Sequence, residues 1–148
     1  MKKRISVIMA FVLGAFPFLI GGIQNWYMLT YVDSVLPYGF ISLAVLLLWG
    51  CIAYLLNDRY HRTKAIVISL NLIAILVLLL LGIQELMLHS YWMNFVGKWS
   101  QLFYLPMINL GFSLTNWSHS ALTAYVACFV LMVVASFVGC KLKEKFQK

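Results

Sequence analysis

Four apolar runs, residues 5–29, 38–56, 65–88 and 121–140, dominate this chain, and nearly every cation falls before the first, between the second and third, or after the last. A hydrocarbon layer roughly 30 Å thick needs about 20 apolar residues in a helix rising about 1.5 Å per residue. Each run meets that length or comes close to it. With 64% hydrophobic and 10% charged residues over 148 positions, the chain has too little polar surface for a water-facing domain of this size. The expected fold class is therefore an all-α integral membrane protein: a four-helix transmembrane bundle forming one membrane domain over residues 1–148.

The cations give the expected orientation. Lys2, Lys3 and Arg4 precede the first run, Arg59, Arg62 and Lys64 lie between the second and third, and Lys141, Lys143, Lys145 and Lys148 follow the fourth. With four crossings these ten share one side, and only Lys98 falls on the other. The positive-inside rule makes the crowded side the cytoplasm, so both termini are expected there. The net charge of +7 then reads as a topology signal, with anionic lipid headgroups as partners. Nucleic acid is not expected, because no basic domain accompanies the tail KLKEKFQK. The first run is too long for a signal peptide and no small-x-small cleavage site follows it, so it reads as a retained signal anchor. Compact loops and basic ends point to a bacterial plasma membrane.

Residues 89–120 carry eight aromatic side chains and one charge. A fifth crossing here would send the basic tail outside, so the segment is read as remaining on the outer side. Trp92, Phe95, Val96, Trp99 and Phe103 recur at helical spacing, while Asn94, Lys98 and Gln101 fall on another face. This pattern predicts an amphipathic interfacial helix within residues 91–114, ending before Pro106. Trp92, Phe95, Trp99 and Phe103 are its expected partner-facing residues. Ser118 or Ser120 is expected to cap the last span.

Small residues set the expected packing. Ala10 and Gly14, with Gly21 further on, mark the first span; Ala124 and Cys128, then Ala135 and Gly139, mark the fourth. Spacing of four lets backbones approach where lipid is as apolar as leucine, so spans one and four are expected inside the bundle. The leucine-rich third span is expected to face lipid over much of its surface. Pro17 is expected to bend the first.

Polar residues near the outer boundary are the candidates for chemistry. Gln24 and Asn25 lie about 30 Å from the cytoplasmic end, at the depth of Gln84 and Glu85. Glu85 and His89 are four apart and are expected to share a face. With His119 these residues form a candidate ligand-binding set, whose competing reading is interfacial anchoring and helix capping. Asn71, about 10 Å inside the opposite boundary, is expected to bond a neighbouring helix. The spacing of Glu85, His89 and His119 matches no metal motif, and no cofactor is implied.

Cys51, Cys128 and Cys140 lie within spans or at their ends, an arrangement without the paired outer cysteines of disulfide-forming oxidases. The four-span plan is similar to that of DoxX-like and other small four-helix membrane proteins, a layout shared by many families. Three functional classes follow. A non-catalytic accessory, sensor or immunity-type subunit, bound to a membrane protein or to its own copies, fits the scarcity of intramembrane charge. A small oligomeric transporter or channel is the alternative, and a lipid-modifying enzyme using Glu85 and His89 is the third.

Overall fold

The structure, a computed structural model, describes residues 2–33, 35–57 and 63–146, with side chains from Val7 onward. Arg59, Arg62, Lys148 and the side chains of Lys2, Lys3 and Arg4 lie outside the described residues. All regular structure among the described residues is helical. Four stretches, Val7–Thr30, Tyr38–Leu56, Thr63–Met87 and Ala121–Phe146, are long and apolar enough to cross a membrane.

The first stretch is broken rather than smoothly bent. Helix α1 (Lys2–Leu13) stops at Gly14, and α2 (Phe16–Thr30) starts with Pro17 in its first turn. There the missing proline N–H costs no helical bond. Tightened three-residue bonds from Ala15 to Val12 and from Phe18 to Ala15 bridge the break. The break seats Gly14 against the third stretch, where an ideal Cβ would lie 2.7 Å from the Leu70 carbonyl oxygen.

Helix α3 (Tyr38–Leu56) is followed by α4 (Thr63–Gly82), whose end widens into a π turn at Ile83–Met87. Buried Ile66, Leu70, Ala74, Val77 and Leu81 make one helical stripe on α4. Contrary to the leucine-count expectation, this stretch has the largest buried share, 33% against 22–28% for the others. Its stripe is covered by α1, by the connector and by the last long helix. Leu72, Leu76 and Leu79 on its other face remain exposed.

The connector contains α5 (Phe95–Tyr104), a 3-10 turn (Leu105–Met107) and α6 (Ile108–Leu114), after which α7 (Ala121–Phe146) completes the bundle. The connector packs between the long helices instead of lying flat outside them. Its deepest part touches all four: Leu102 meets Gly21, Ser42 donates to the Pro106 carbonyl at 2.9 Å, Tyr104 donates to the Ala74 carbonyl at 2.7 Å, and the Cys128 thiol reaches the Met107 carbonyl at 3.2 Å. Ala74 is near the middle of its helix, about 20 Å from Met87. The chain therefore runs inward among the long helices with α5, turns at Pro106 and runs back with α6, as a helical hairpin. Irregular backbone is tolerated at such depth because it is enclosed by protein.

Close backbone contacts hold these pieces together. An ideal Cβ on Gly21 would lie 1.9 Å from the Leu102 carbonyl oxygen, and one on Gly139 would lie 2.1 Å from that of Gly50. Gly111 sits against Ala124 and Cys128, and Gly50 against Ala135. Thus α1 and α2 pack chiefly on α4 and the connector, while α7 packs on α3, α4 and α6.

One polar junction crosses the core. Asn71 accepts from the Trp49 indole at 3.2 Å and donates to the Ser136 hydroxyl and the Val67 carbonyl, each at 2.9 Å. It joins α3, α4 and α7. Substituting Asn71→Ala strands the buried indole N–H and should cost about 1–2 kcal/mol, read by titration with a denaturing detergent. An unchanged midpoint would show that the junction contributes nothing to stability.

Candidate functional site

The two ends of the bundle differ. At the lysine end Asn57 donates to the Cys140 carbonyl at 2.9 Å, Thr63 bonds Glu144, and Lys141 pairs with Glu144 at 2.6 Å. At the connector end lie the polar residues singled out from the sequence; Glu85, Gln84 and Asn25 belong to three separate arrangements, and Gln24, His89 and His119 to none of them.

Glu85 occupies the first. Its carboxylate accepts hydrogen bonds from the Tyr91 hydroxyl, the Ser120 hydroxyl and, at 2.8 Å, the Leu122 backbone N–H. That N–H is one of the donors left unpaired at the start of α7, and a carboxylate there also complements the positive helix end. The cap of α7 is thus a carboxylate supplied by the end of the third stretch, with Ser120 as a second contact to it. Ser118 instead accepts from the Ser120 backbone N–H at 3.2 Å. Burial first, and the Glu85 hydrogen bond second, raise the Tyr91 pKa far above its ordinary value, so the phenol remains a donor.

His89 is not a partner of Glu85. The π turn shifts the helical phase just before it, and His89 leaves the helix with φ 50°. Six-residue closure from the Ser90 N–H to the Gln84 carbonyl, at 3.2 Å, accompanies this left-handed ending. Its imidazole is exposed, as is that of His119. Neither makes a hydrogen bond among the described residues. His89→Ala should therefore change stability by less than about 0.5 kcal/mol, measured in the same detergent titration. A larger loss would reveal an imidazole contact that this geometry lacks.

Gln84 forms the second arrangement. Fully buried, it accepts from the Trp92 backbone N–H at 2.9 Å and donates to the Ser100 hydroxyl at 3.3 Å, and Ser100 donates to the Gly97 carbonyl at 2.7 Å. Asn94 caps α5 by accepting from the Gly97 N–H at 2.9 Å. These bonds fix the entry of the hairpin. Gln24 is buried on α2, and its side-chain oxygen has no hydrogen-bond partner among the described residues.

The third arrangement is open. A crevice of about 300 Å³ separates α2 from the hairpin and is lined by Asn25, Met28, Trp92, Lys98, Gln101 and Tyr125, with apolar residues beneath. Of the candidate ligand-binding set only Asn25 lines it. Lys98 and Gln101 are legible in the sequence only as a polar helix face, and nothing there brings Met28 or Tyr125 to them. Met93 of the lining is exposed at 96%; outside the lining, Phe95 is exposed at 75%, while Trp99 is partly covered by Phe18 of α2. Phe103, grouped with these aromatics by spacing, is fully buried, its ring 4.9 Å from that of Phe18. The reason is that α5 buries a second face, through Gly97, Ser100 and Tyr104.

Chemically the crevice offers one ammonium, two amides and a phenol above an apolar floor, which suits a ligand with a polar or anionic head and a greasy body. Among the described residues no three His, Cys, Asp or Glu side chains converge. No family model, no curated protein and no solved structure matches this chain, so its likeness to small four-helix families is one of layout alone.

Proposed function

We propose that this protein is a non-catalytic accessory, sensor or immunity-type subunit of a bacterial plasma membrane. It crosses the membrane four times, with both termini in the cytoplasm and the connector hairpin entering from the outer face. Its binding site is the crevice between α2 and the hairpin, and its partner is a membrane protein or outer-face ligand that covers Met93, Phe95 and Trp99.

The observation that carries this reading is the employment of Glu85. The sole acid within the four apolar runs is held by three internal donors, so it caps a helix and is not poised against a substrate. The crevice lining contains no acid–base pair, whereas Met93 of that lining is almost fully exposed and Phe95, two residues on, is exposed as well, which leaves apolar surface for a partner to cover.

A photoreactive amino acid at Met93 should give a discrete adduct in intact cells, and Lys98→Glu should abolish it. The same probe at Leu79, on the exposed face of α4, should give none. Equal adducts at both positions, or adducts indifferent to Lys98, would sink the proposal.

A further inference from the structure

At the opposite end a second depression has a different chemistry. Beside the Gly50–Gly139 crossing, α3 and α7 enclose a groove of about 370 Å³ walled by Leu46, Val134, Val138 and Leu142. It extends from Leu46 to Tyr54 on α3 and from Leu131 to Leu142 on α7, roughly 12 and 16 Å at about 1.5 Å per residue. Half of a hydrocarbon core roughly 30 Å thick is about 15 Å, so the groove has the length of one leaflet.

Its end toward the middle of the bundle is wholly apolar, but its end toward the lysines meets cations. The Lys143 ammonium lies 5.5 Å from the centre of the Tyr54 ring and donates to the Leu55 carbonyl at 3.1 Å. An ammonium has three donors, so two remain for a ligand. Lys145 follows on the same helix and is exposed. A second helix is a poorer occupant than a flexible chain: close helix association uses small residues, and here the two glycines are already closed against each other.

We infer that this groove binds one acyl chain of an anionic phospholipid from the leaflet at the lysine end, with Lys143 and the edge of Tyr54 at its phosphate. The site is remote from the crevice and does not depend on it. It turns the general attraction of basic ends for anionic membranes into a defined seat, and it would hold the α3–α7 pair in register from outside.

The full chain in mild detergent, titrated with phosphatidylglycerol or with phosphatidylcholine of the same acyl chains, tests this by native mass spectrometry. One phosphatidylglycerol should be retained per chain in preference to phosphatidylcholine. Lys143→Ala should weaken that preference roughly fivefold, and Val138→Trp, which fills the groove from a half-exposed wall position, should reduce retention of both lipids. Cys51 is exposed on the facing α3 wall, so in the unmutated chain its maleimide labelling should slow several-fold with phosphatidylglycerol and not with phosphatidylcholine. Equal retention of the two lipids, unchanged Cys51 labelling, or a chain dimer that Val138→Trp dissociates would overturn the inference.

Discussion

Gly139→Ala should lower the resistance of the fold to denaturing detergent by about 1–3 kcal/mol, and Gly139→Leu should leave little folded protein. Helix propensity alone argues the other way, since alanine in place of a helical glycine gains about 1 kcal/mol. The contact decides the sign. The added methyl group would lie 2.1 Å from the Gly50 carbonyl oxygen and 3.2 Å from its Cα, and backbone cannot swing aside as a side chain would. Relief requires α3 and α7 to separate, which loosens the Asn57–Cys140 and Asn71–Ser136 bonds on either side of the crossing. Gly82 is the control: nothing lies within 4 Å of the place its methyl group would take, so Gly82→Ala should be neutral or stabilising. Identical behaviour of the two variants would mean that the helices do not cross at Gly50 and Gly139.

Glu85→Ala should cost about 2–4 kcal/mol. Three hydrogen bonds to a carboxylate are lost together, each worth roughly 1.5–3 kcal/mol in isolation, and their sum is reduced by water at a partly exposed rim and by their sharing one acceptor. Glu85→Gln should recover part of the loss, because an amide oxygen at the Oε2 place can still accept from the Leu122 N–H and the Tyr91 hydroxyl while its NH₂ faces the Ser120 hydroxyl. The measurement is the unfolding midpoint of both variants, compared with proteolysis between α6 and α7. Wild-type stability in Glu85→Ala, accompanied by lost activity in cells, would contradict the capping role and restore the enzyme or transporter reading. An activity assay alone does not separate these outcomes, since an unmoored α7 abolishes function by unfolding.

The sequence carries the long helices plainly because length and hydropathy are local properties. It also reveals Asn71 as needing a partner, since an amide in a leucine-rich helix has no local means of satisfaction, and the bonds to Trp49 and Ser136 supply it. What periodicity cannot show is which neighbour each face meets. Gly50 is hidden because it has no small companion four residues away in α3, where Leu46 and Tyr54 stand, yet its contact is with Gly139, far along the chain. Phe103 shares a stripe with Phe95 and Trp99 in projection, but the inward course of α5 takes it into the core and leaves Phe95 exposed. The Glu85–His89 pairing fails for a local reason of another kind. A four-residue spacing assumes 3.6 residues per turn, and the π turn at Ile83–Met87 removes that assumption. The candidate site suffers most: the polar residues that stand out in hydrocarbon are mainly spent on building the hairpin, and the open crevice is lined by residues from α2, α5 and α7 that no spacing connects.

Side-specific labelling of single cysteines with a membrane-impermeant maleimide tests the central claim, four crossings with a hairpin that enters and leaves on one side. The account predicts that Trp117→Cys, exposed just after α6, reacts in intact cells, that Lys145→Cys reacts only after the membrane is opened, and that Met107→Cys, buried at the turn of the hairpin, reacts from neither side. Labelling of Trp117→Cys and Lys145→Cys from the same side, or of Met107→Cys from the lysine side, would contradict it.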